Sequence, residues 1–373
     1  MSRHWNFILP AIFTAFLFTK LSGFEAYAQE VDCHPDLSHV PSLFRQDTLT
    51  ICILGDVMMH TKQIETARKG VDTYDFSSYF KALEGRIKDA DIAVANMEFT
   101  LGGKPYTGYP SFSAPDSYAT YLTDCGFDVF LAANNHILDK GSQGADRTIE
   151  IYRHLEDMHG IRFTGIAGNE EERSGNFPLA VRRKGITVSL INFTYGTNLG
   201  GTAHWPKTNY MSEREEIQKA LKKAESADFT IVLPHWGEEY RLTHSARQEE
   251  TAGWLAENGA DAIIGAHPHV VQDTATVKGI PVVYSLGNAV SNMSAENTQL
   301  ELMATLRIVR HANGDLQMLT PELTWLWCSR PGGYTDDYAV IPVEEFIGTR
   351  DIWQGGWEYD KMVATYNRIR NNK

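Results

Sequence analysis

Short apolar runs alternate with longer amphipathic stretches from residue 49 onward, and this alternation limits the chain to few folds. The apolar runs are rich in β-type residues and each breaks at Gly, Asn, Asp or His; they span 49–57, 91–98, 127–136, 187–196, 228–237, 261–269 and 280–288. Helical patterns occupy 77–89, 143–158, 212–227 and 245–258. Because strands that alternate with helices pair mainly in parallel, the pattern predicts an α/β fold with a largely parallel sheet.

The pattern changes after Ser291, where helices become rare. Residues 299–310 and 316–327 are typical of consecutive strands that continue the sheet in antiparallel fashion, and residues 355–371 are typical of one terminal helix. The sequence contains no internal repeat, low-complexity segment or Pro/Ser-rich linker. We therefore predict one catalytic-type domain over 48–330, with an extension before it over 29–47 and a C-terminal extension over 331–373.

The first 28 residues have the organisation of a secretory signal peptide. Arg3 precedes an apolar stretch over 7–18, and Ala26-Tyr27-Ala28 forms a small-x-small cleavage site. The apolar stretch is short for a membrane span. We predict cleavage after Ala28, export to the periplasm or the extracellular space, and no membrane span in the mature chain. An uncleaved membrane anchor is the alternative.

The cysteines give no further indication of chemistry. An exported chain can form disulfides, and Cys33, Cys52, Cys125 and Cys328 allow three pairings that the sequence does not distinguish. Cys52 lies in a strand-like run, where it can serve as a buried apolar residue.

The net charge of the chain makes polyanionic partners unfavourable. The formal net charge is −13 over 373 residues, and the sequence has no cluster of Lys and Arg. This argues against a nucleic-acid backbone or an anionic membrane surface as the main partner. A polyanionic substrate would also be repelled unless its cleft is locally positive.

Polar side chains are concentrated at the carboxyl ends of the apolar runs. In an open parallel sheet these ends meet along one edge, where ligands bind. Imidazole and carboxylate groups bind divalent transition metals, with amide oxygens as weaker ligands. The set comprises Asp56, His60, Asn96, Glu98, Asn134, Asn135, His136, Asp139, His235, Glu238, Glu239, His267, His269 and Asn288.

The pair His267 and His269 is the most specific part of this set. It follows the apolar run 262–264, and apolar surroundings disfavour two imidazoles without partners. Pro268 restricts the backbone between them and favours extended geometry at His267. In an extended His-x-His segment both rings point to the same side, so that they can bind one metal or two neighbouring metals.

Caps and turns account for single members of this set but not for the whole of it. Alone, Asp56 would be a helix cap, His60 a surface histidine and Asn134-Asn135 a turn. Independent caps and turns would not all select metal-ligand residue types. The sequence around Ser285 lacks the first glycine of a G-x-S-x-G elbow, and no P-loop, G-x-G-x-x-G or HExxH motif is present.

Seven blocks follow one another along the chain: LGDVMMH, ANMEFTLGG, FLAANNHILDKG, INFTYGTN, HWGEEY, GADAIIGAHPHVVQ and PVVYSLGNAVS. In this order they resemble the CapA-type poly-gamma-glutamate capsule synthesis proteins, which belong to the calcineurin-like metallophosphatase superfamily. The resemblance covers residues 49–292, and the order and spacing of the blocks make it specific. It implies a four-layer α/β/β/α sandwich with a two-metal centre between the sheets.

The resemblance also implies a role for most of the polar set. Glu98 takes the place of a carboxylate that bridges two metals, and His136 that of the imidazole that protonates the leaving group, with Asp139 as the orienting partner. Asn96, Glu239 and Asn288 are candidates for binding the substrate. The implied metal ligands are Asp56, His60, Glu98, Asn135, His235, His267 and His269, around one or two Mn, Fe or Zn ions.

Two positions depart from the superfamily pattern. Met58 stands where a metallophosphatase usually has the histidine of Asp-x-His, so that His60 would have to reach the metal from two residues further along. The second block carries Asn96-x-Glu98 where an aspartate is usual. Both changes leave occupancy by a single metal as an alternative to two.

These observations lead to one functional hypothesis and two alternatives. The first is an exported protein that supports synthesis or export of an anionic exopolymer through a metal-dependent, phosphoesterase-like hydrolase site. Its substrate would be the anionic polymer or a phosphoester, and its partners polymer synthesis or export subunits. The alternatives are a non-catalytic binding or assembly subunit on the same fold, and a general phosphodiesterase or nucleotidase.

Overall fold

A computed structural model describes residues 47–202 and 204–371. The predicted signal peptide, nearly all of the predicted extension 29–47, and Cys33 lie outside the described residues. In chain order the strands are β1 (Asp47–Val57), β2 (Arg68–Gly70), β3 (Thr73–Tyr74), β4 (Ile92–Met97), β5 (Val129–Leu131), β6 (Arg162–Thr164), β7 (Ile166–Ala167), β8 (Leu179–Arg183), β9 (Ile186–Thr194), β10 (Lys207–Thr208), β11 (Phe229–His235), β12 (Ala262–Ile264), β13 (Thr274–Val277), β14 (Ile280–Val283), β15 (Leu300–Arg310), β16 (Leu316–Met318), β17 (Glu322–Ser329) and β18 (Ala339–Pro342).

The helices lie between these strands and after the last of them. They are α1 (Thr61–Ala67), α2 (Glu84–Asp89), α3 (Asp116–Asp124), α4 (Gly141–His159), α5 (Glu170–Asn176), α6 (Arg214–Ala224), α7 (Ala246–Glu257), α8 (Val343–Phe346) and α9 (Gly356–Arg370). Two 3-10 turns occupy Lys81–Leu83 and Arg350–Ile352.

The first large sheet has the strand order β18-β17-β15-β1-β4-β5-β6, with β16 paired to β15. Strands β1, β4, β5 and β6 are parallel, whereas β15, β17 and β18 continue the sheet in antiparallel pairs. Every residue of β4 is buried. An apolar strand that is buried on both faces is typical of the centre of a parallel sheet.

The second large sheet has the order β13-β14-β12-β11-β9-β8. Its four central strands, β14, β12, β11 and β9, are parallel, and the edge strands β13 and β8 are antiparallel to their neighbours. The parallel sheet predicted from the sequence is thus divided into two parallel sheets, each with antiparallel strands beyond its parallel part.

The two sheets pack face to face through aliphatic side chains. Ile53 and Val94 of the first sheet belong to one buried cluster with Leu190, Ile231 and Ile264 of the second. Alternate residues of the same strands point to the outer faces, because side chains along a strand alternate between its two sides.

Helices cover both outer faces. Tyr118 of α3 and Tyr152 of α4 pack in one cluster with Leu54 of the first sheet. Leu221 of α6 and Leu255 of α7 pack in another, with residues of the second sheet. The layers are therefore α/β/β/α, and the predicted four-layer sandwich is confirmed.

The C-terminal part of the chain is attached to the first sheet. Strand β18 pairs with β17, and Met362 and Tyr366 of α9 pack against Trp327 of β17. Glu358 of α9 is buried and accepts hydrogen bonds from Ser329 Oγ at 2.7 Å and Gln299 Nε2 at 2.7 Å. Residues after 330 thus extend the fold; the predicted domain boundary at 330 stays a prediction.

Several predicted elements differ from the observed ones at their ends. The helix predicted over 77–89 begins as the 3-10 turn Lys81–Leu83 and continues as α2. The segment 316–327 forms two strands, β16 and β17, separated by a short stretch that contains Pro321, whose backbone cannot donate to a sheet. The predicted helix over 355–371 corresponds to α9.

Two further expectations concern membranes and disulfides. Within residues 47–202 and 204–371, no helix is both long enough and apolar enough to cross a membrane. Cys52, Cys125 and Cys328 are buried thiols that form no disulfide within the described part of the chain.

A close backbone contact joins β1 to the loop after β14. The N–H of Asp56 donates to the carbonyl of Gly287 at 3.0 Å. A Cβ atom on Gly55 would lie 2.0 Å from that same carbonyl oxygen. Glycine at position 55 therefore allows the contact that places Asp56 at the edge of the sheet.

Candidate metal centre

The carboxyl ends of the parallel strands in both sheets meet at one end of the sandwich. From the first sheet come Asp56 near the end of β1, Glu98 after β4, and Asn135 and His136 after β5. From the second sheet come His235 at the end of β11 and the pair His267 and His269 after β12. All seven side chains are buried.

Asp56 contacts ligands from both sheets. Its Oδ1 atom accepts a 2.7 Å hydrogen bond from Asn96 Nδ2, and its Oδ2 atom accepts one of 3.2 Å from the backbone N–H of His267. Nδ1 of His269 lies 3.3 Å from Oδ2, and Nδ1 of His235 lies 3.8 Å from Oδ1. The carboxylate therefore lies between the two sheets, within reach of two imidazoles.

Glu98 is fully buried, and neither of its carboxyl oxygens has a hydrogen-bond partner among the described residues. Its Oε1 atom lies 3.8 Å from Nε2 of His235 and 3.7 Å from Nε2 of His269. Burial, and then the charge of Asp56, raise the pKa of this carboxyl well above its usual range. Burial of a carboxylate costs free energy unless a nearby cation compensates its charge.

The backbone of His267 and His269 differs from the prediction. Strand β12 ends at Ile264, and both histidines have positive φ angles, +100° at His267 and +59° at His269. The predicted extended His-x-His segment is therefore wrong. Positive φ is uncommon for residues other than glycine, and such strain is concentrated at functional sites. The two rings nevertheless lie close together, with centroids 5.7 Å apart.

The surroundings of His267 and His269 shift the pKa values of the two imidazoles in opposite directions. Burial, and then the nearby His269, lower the pKa of His267, whose Nδ1 has no hydrogen-bond partner among the described residues. For His269, burial lowers the pKa, but the contact with Asp56 outweighs it and the net shift is upward. Asn288 Oδ1, 2.8 Å from Nδ1 of His269, orients that ring.

Three sets of side chains bring metal-ligand atoms within 4.8 Å of one another. The sets overlap, because Glu98, His267 and His269 each belong to two of them. They are Glu98–His235–His267, Glu239–His267–His269 and Asp56–Glu98–His269.

This donor set fits a divalent transition metal. Imidazole nitrogens and carboxylate oxygens are the usual ligands of Zn, Mn and Fe in proteins. The buried atoms that lack a partner within the described ranges, both Glu98 oxygens, Asn96 Oδ1 and His267 Nδ1, would gain one from a cation.

Asn135 lies within reach of the same cluster. Its Oδ1 atom is 2.8 Å from Nε2 of His235, so that the amide and the imidazole contact each other. Asn96 contacts His235 as well, with Nδ2 lying 3.2 Å from Nδ1 of that ring. Asn96, predicted to bind substrate, thus lies among the proposed ligands and fixes the position of Asp56.

His136 lies beside the cluster and is held by Asp139. The Nδ1 atom of His136 is 2.7 Å from Oδ2 of Asp139. The side chain of Asn198 approaches the same ring, with Nδ2 lying 3.2 Å from Nδ1. The edge-to-face contact with Phe112, at 4.6 Å between ring centroids, also limits rotation of the imidazole.

His60 lies on the wall of the cleft rather than in any of the three ligand sets. It precedes α1, and its Nδ1 atom is 3.2 Å from Oε1 of Gln63 and accepts a 3.3 Å hydrogen bond from the N–H of Asn292. Burial lowers the pKa of His60 to about 4, so that the ring is neutral at physiological pH.

Glu239 lines the cleft and also belongs to one of the three ligand sets. The sequence makes it a candidate for substrate binding, but the structure groups it with His267 and His269 as a possible third metal ligand. It is exposed, unlike the other members of the ligand sets.

The sequence did not identify three side chains that contact the site. The ring of Tyr195 lies 4.4 Å from that of His267, and the ring of Tyr240 lies 6.2 Å from that of His269. Asn198 contacts His136 from the same loop as Tyr195. Tyrosine and asparagine are common in loops and follow no periodic pattern. The loop that carries Tyr195 and Asn198 was therefore indicated only by the block INFTYGTN.

A cleft of about 380 Å³ opens onto His136 and His269. Its walls come from the loops after β1, β4, β11 and β14. The lining residues are Met58, His60, Tyr109, His136, Glu239, Tyr240, His269, Asn292, Met293, Ser294 and Ala295. The cleft is large enough to hold a small molecule next to the cluster.

Two capsule biosynthesis proteins are similar to this chain in sequence. The chain is 28% identical over 267 residues to the capsule biosynthesis protein CapA of Bacillus anthracis, a match that covers 68% of this chain and 62% of the relative. It is 25% identical over 289 residues to the PGA biosynthesis protein CapA of Bacillus subtilis strain 168, covering 74% of this chain and 72% of the relative. The match therefore spans less than two thirds of the B. anthracis protein.

One solved structure that is similar to this chain is that of the 5'-nucleotidase precursor from Thermus thermophilus. The two chains superpose with a TM-score of 0.46 at 14% sequence identity, over 87% of this chain and 59% of the other.

A family model described as bacterial capsule synthesis protein PGA_cap matches residues 50–293. The matched range contains every residue of the three ligand sets, together with His136 and Asp139. Since the match covers more than half of the chain, the protein belongs to the bacterial capsule synthesis family PGA_cap.

Proposed function

We propose that this cluster is a divalent-metal centre that catalyses hydrolysis of a phosphoester. The metal would be Mn, Fe or Zn, at one or two positions, held by Asp56, Glu98, His235, His267 and His269, with Asn135 and Glu239 as further ligands. The observation that carries the proposal is Glu98: both of its buried oxygens lack a hydrogen-bond partner in the described chain, and its Oε1 lies 3.8 Å and 3.7 Å from Nε2 of His235 and His269.

A divalent cation bound there would supply Lewis-acid polarisation of a phosphoryl oxygen and compensation of the charge that develops during hydrolysis. The chain itself provides the proton. As water attacks phosphorus and the bond to the alcohol oxygen breaks, His136, which lines the cleft, would donate a proton from Nε2 to that oxygen, while Nδ1 stays in contact with Asp139. Phe112 and Asn198 hold the ring in the orientation that this transfer requires.

Membership of the capsule synthesis family supports a role in the synthesis or export of an anionic exopolymer. We propose that the mature chain acts outside the cytoplasm, in the periplasm or the extracellular space, next to polymer synthesis or export subunits. The signal-like first 28 residues support this location. The substrate would be a phosphoester that arises during that process.

The decisive experiment is metal analysis of the mature protein and of the double variant His267→Ala/His269→Ala. His154→Ala is a matched control, because His154 is exposed on α4, away from the cluster. Near-stoichiometric Mn, Fe or Zn in the wild type and the control, lost in the double variant, is the expected result. If the wild type binds none of these ions after incubation with them, the proposed hydrolase mechanism is wrong.

One observation favours the non-catalytic alternative. Met58 is 1% exposed and takes the place of a ligand histidine. Strand β1 therefore contributes one ligand, Asp56, which belongs to one of the three sets. A binding or assembly subunit would keep its role in polymer production when His136 is replaced by Ala, whereas a hydrolase would lose it. A general phosphodiesterase or nucleotidase would hydrolyse phosphoesters, but its deletion would leave polymer production unchanged.

A further inference from the structure

The cleft beside the metal centre has a polar floor, and its walls combine apolar and aromatic side chains with the polar His60, Glu239, Asn292 and Ser294. His136 and His269 form the floor. The walls carry the side chains of Met58, Met293 and Ala295 and the rings of Tyr109 and Tyr240, which are 74% and 44% exposed. A bound molecule with its phosphoryl group on the floor would therefore place the rest of its structure against apolar and aromatic surface.

The side chains that line the cleft include a carboxylate, that of Glu239, but no lysine or arginine among the described residues. Two arginines near the lining have other partners: Arg330 donates to the carbonyl of Met293, and Arg241 lies 3.7 Å from Glu238 with its side chain 72% exposed. Within the described chain, positive charge at the surface of the cleft would therefore come from the metal centre and the proton that His136 carries.

Tyr240 is the tyrosine of the wall that lies nearer to the metal centre: its ring centroid is 6.2 Å from that of His269. It can donate a hydrogen bond and offer its ring to an apolar group.

We propose that this cleft selects phosphoesters whose alcohol portion is uncharged and apolar or aromatic, and that it does not bind the anionic polymer itself. The inference rests on the proposed function, because it places the phosphoryl group at the metal centre. A polyanion could satisfy one anionic group there. Its next anionic groups would lose water against Met58, Met293 and Tyr240, and would face the carboxylate of Glu239 without a counter-ion.

The test uses equilibrium binding to the metal-loaded protein, which does not depend on turnover. The probes are phenylphosphonate, 4-carboxyphenylphosphonate and phosphate-free poly-gamma-glutamate, each measured by calorimetry. We expect phenylphosphonate to bind at least about tenfold more tightly than its carboxylated analogue, and poly-gamma-glutamate not to displace it. Equal or tighter binding of the carboxylated probe, displacement by the polymer, or no binding of phenylphosphonate would overturn the proposal.

A charge introduced on the lip of the cleft tests the cause of this preference. Ser294 is exposed and lines the cleft, so that Ser294→Lys adds a cation and Ser294→Met adds an uncharged chain of similar length. Ser294→Lys should reduce the preference for the uncarboxylated probe several-fold, and Ser294→Met should not. If both variants keep the wild-type ratio, missing positive charge is not the cause and the proposal fails.

Failure of this inference can be told apart from failure of the proposed function. Selective binding of phenylphosphonate without hydrolysis of any phosphoester would support the inference and contradict the hydrolase mechanism. Hydrolysis of phenyl phosphate and 4-carboxyphenyl phosphate with equal kcat/KM would support the mechanism and overturn the inference.

Discussion

Nδ1 of His136 lies 2.7 Å from Oδ2 of Asp139, and the same oxygen accepts a 2.7 Å hydrogen bond from the backbone N–H of Phe112. Because the second bond fixes the carboxylate, Asp139 holds the imidazole in one orientation. Asp139→Asn should lower kcat for phosphoester hydrolysis about 100-fold or more, with metal content unchanged. Steady-state kinetics and elemental analysis on the same preparation check both parts.

The control for that variant is Asp157→Asn, an exposed position on α4. If Asp139→Asn keeps the wild-type kcat, His136 does not depend on Asp139 for proton transfer. If the variant loses its metal instead, Asp139 maintains the structure of the centre rather than the chemistry.

Replacement of His60 separates a metal ligand from a residue of the cleft wall. His60 lies outside the three ligand sets, and its ring contacts Gln63 and Phe112. His60→Asn, which keeps a hydrogen-bonding side chain before α1, should retain the wild-type metal content and raise KM several-fold. A loss of metal in elemental analysis would instead make His60 a ligand, as the sequence predicted.

The buried carboxyl of Glu301 should make the metal-free protein less stable as pH rises. Its Oε1 atom accepts a 2.9 Å hydrogen bond from the N–H of Gly55, yet burial, the largest effect, raises the pKa of this carboxyl well above its usual range. The folded chain therefore holds this proton more tightly than the unfolded chain. The resulting stabilisation is complete below the unfolded pKa and is lost as pH rises towards the folded pKa.

Glu301→Gln removes this ionisation and keeps an acceptor for Gly55. The Tm of the variant, relative to that of wild type, should rise by about 2 °C or more between about pH 5 and about pH 8, in the presence of a chelator. Glu322→Gln, at a side chain that is 56% exposed, should show no such change. Parallel pH profiles for Glu301→Gln and wild type would contradict the prediction.

Gly55 should tolerate no side chain. A Cβ atom at this position would lie 2.0 Å from the carbonyl oxygen of Gly287, so Gly55→Ala must move β1 away from the loop after β14. We expect a loss of about 3 kcal/mol or more in the free energy of unfolding, measured with urea. The matched control is Gly85→Ala in α2, where a Cβ meets nothing within 4 Å and a change of about 1 kcal/mol or less is expected.

The sequence patterns predicted the α/β class and the edge of the sheet where the site lies, because both depend on periodic patterns. Alternating strands and helices indicate parallel sheets, and polar residues that follow apolar runs mark their carboxyl ends. Asp56, Glu98, His235, His267 and His269 follow such runs, and the structure brings them together. The division into two sheets depends on packing between strands far apart in sequence, and only the resemblance to a family implied it.

The differences concern local geometry and loops. Spacing alone does not show that His267 and His269 adopt positive φ angles, because the residue before a proline normally prefers extended backbone. The distance from His60 to the ligand sets depends on the capping of α1 by Gln63. Tyr195, Asn198 and Tyr240 contact the site from loops, where sequence patterns carry little information about direction.

The ligand sets draw on residues from both halves of the matched region. Asp56 and Glu98 lie on the first sheet, whereas His235, His267 and His269 lie on the second. A metal ion held by them would act as a cross-link that forms only after both sheets have folded and packed. Metal uptake would then report that both sheets have formed, since a protein truncated before β11 would carry Asp56 and Glu98 without the histidines of the ligand sets.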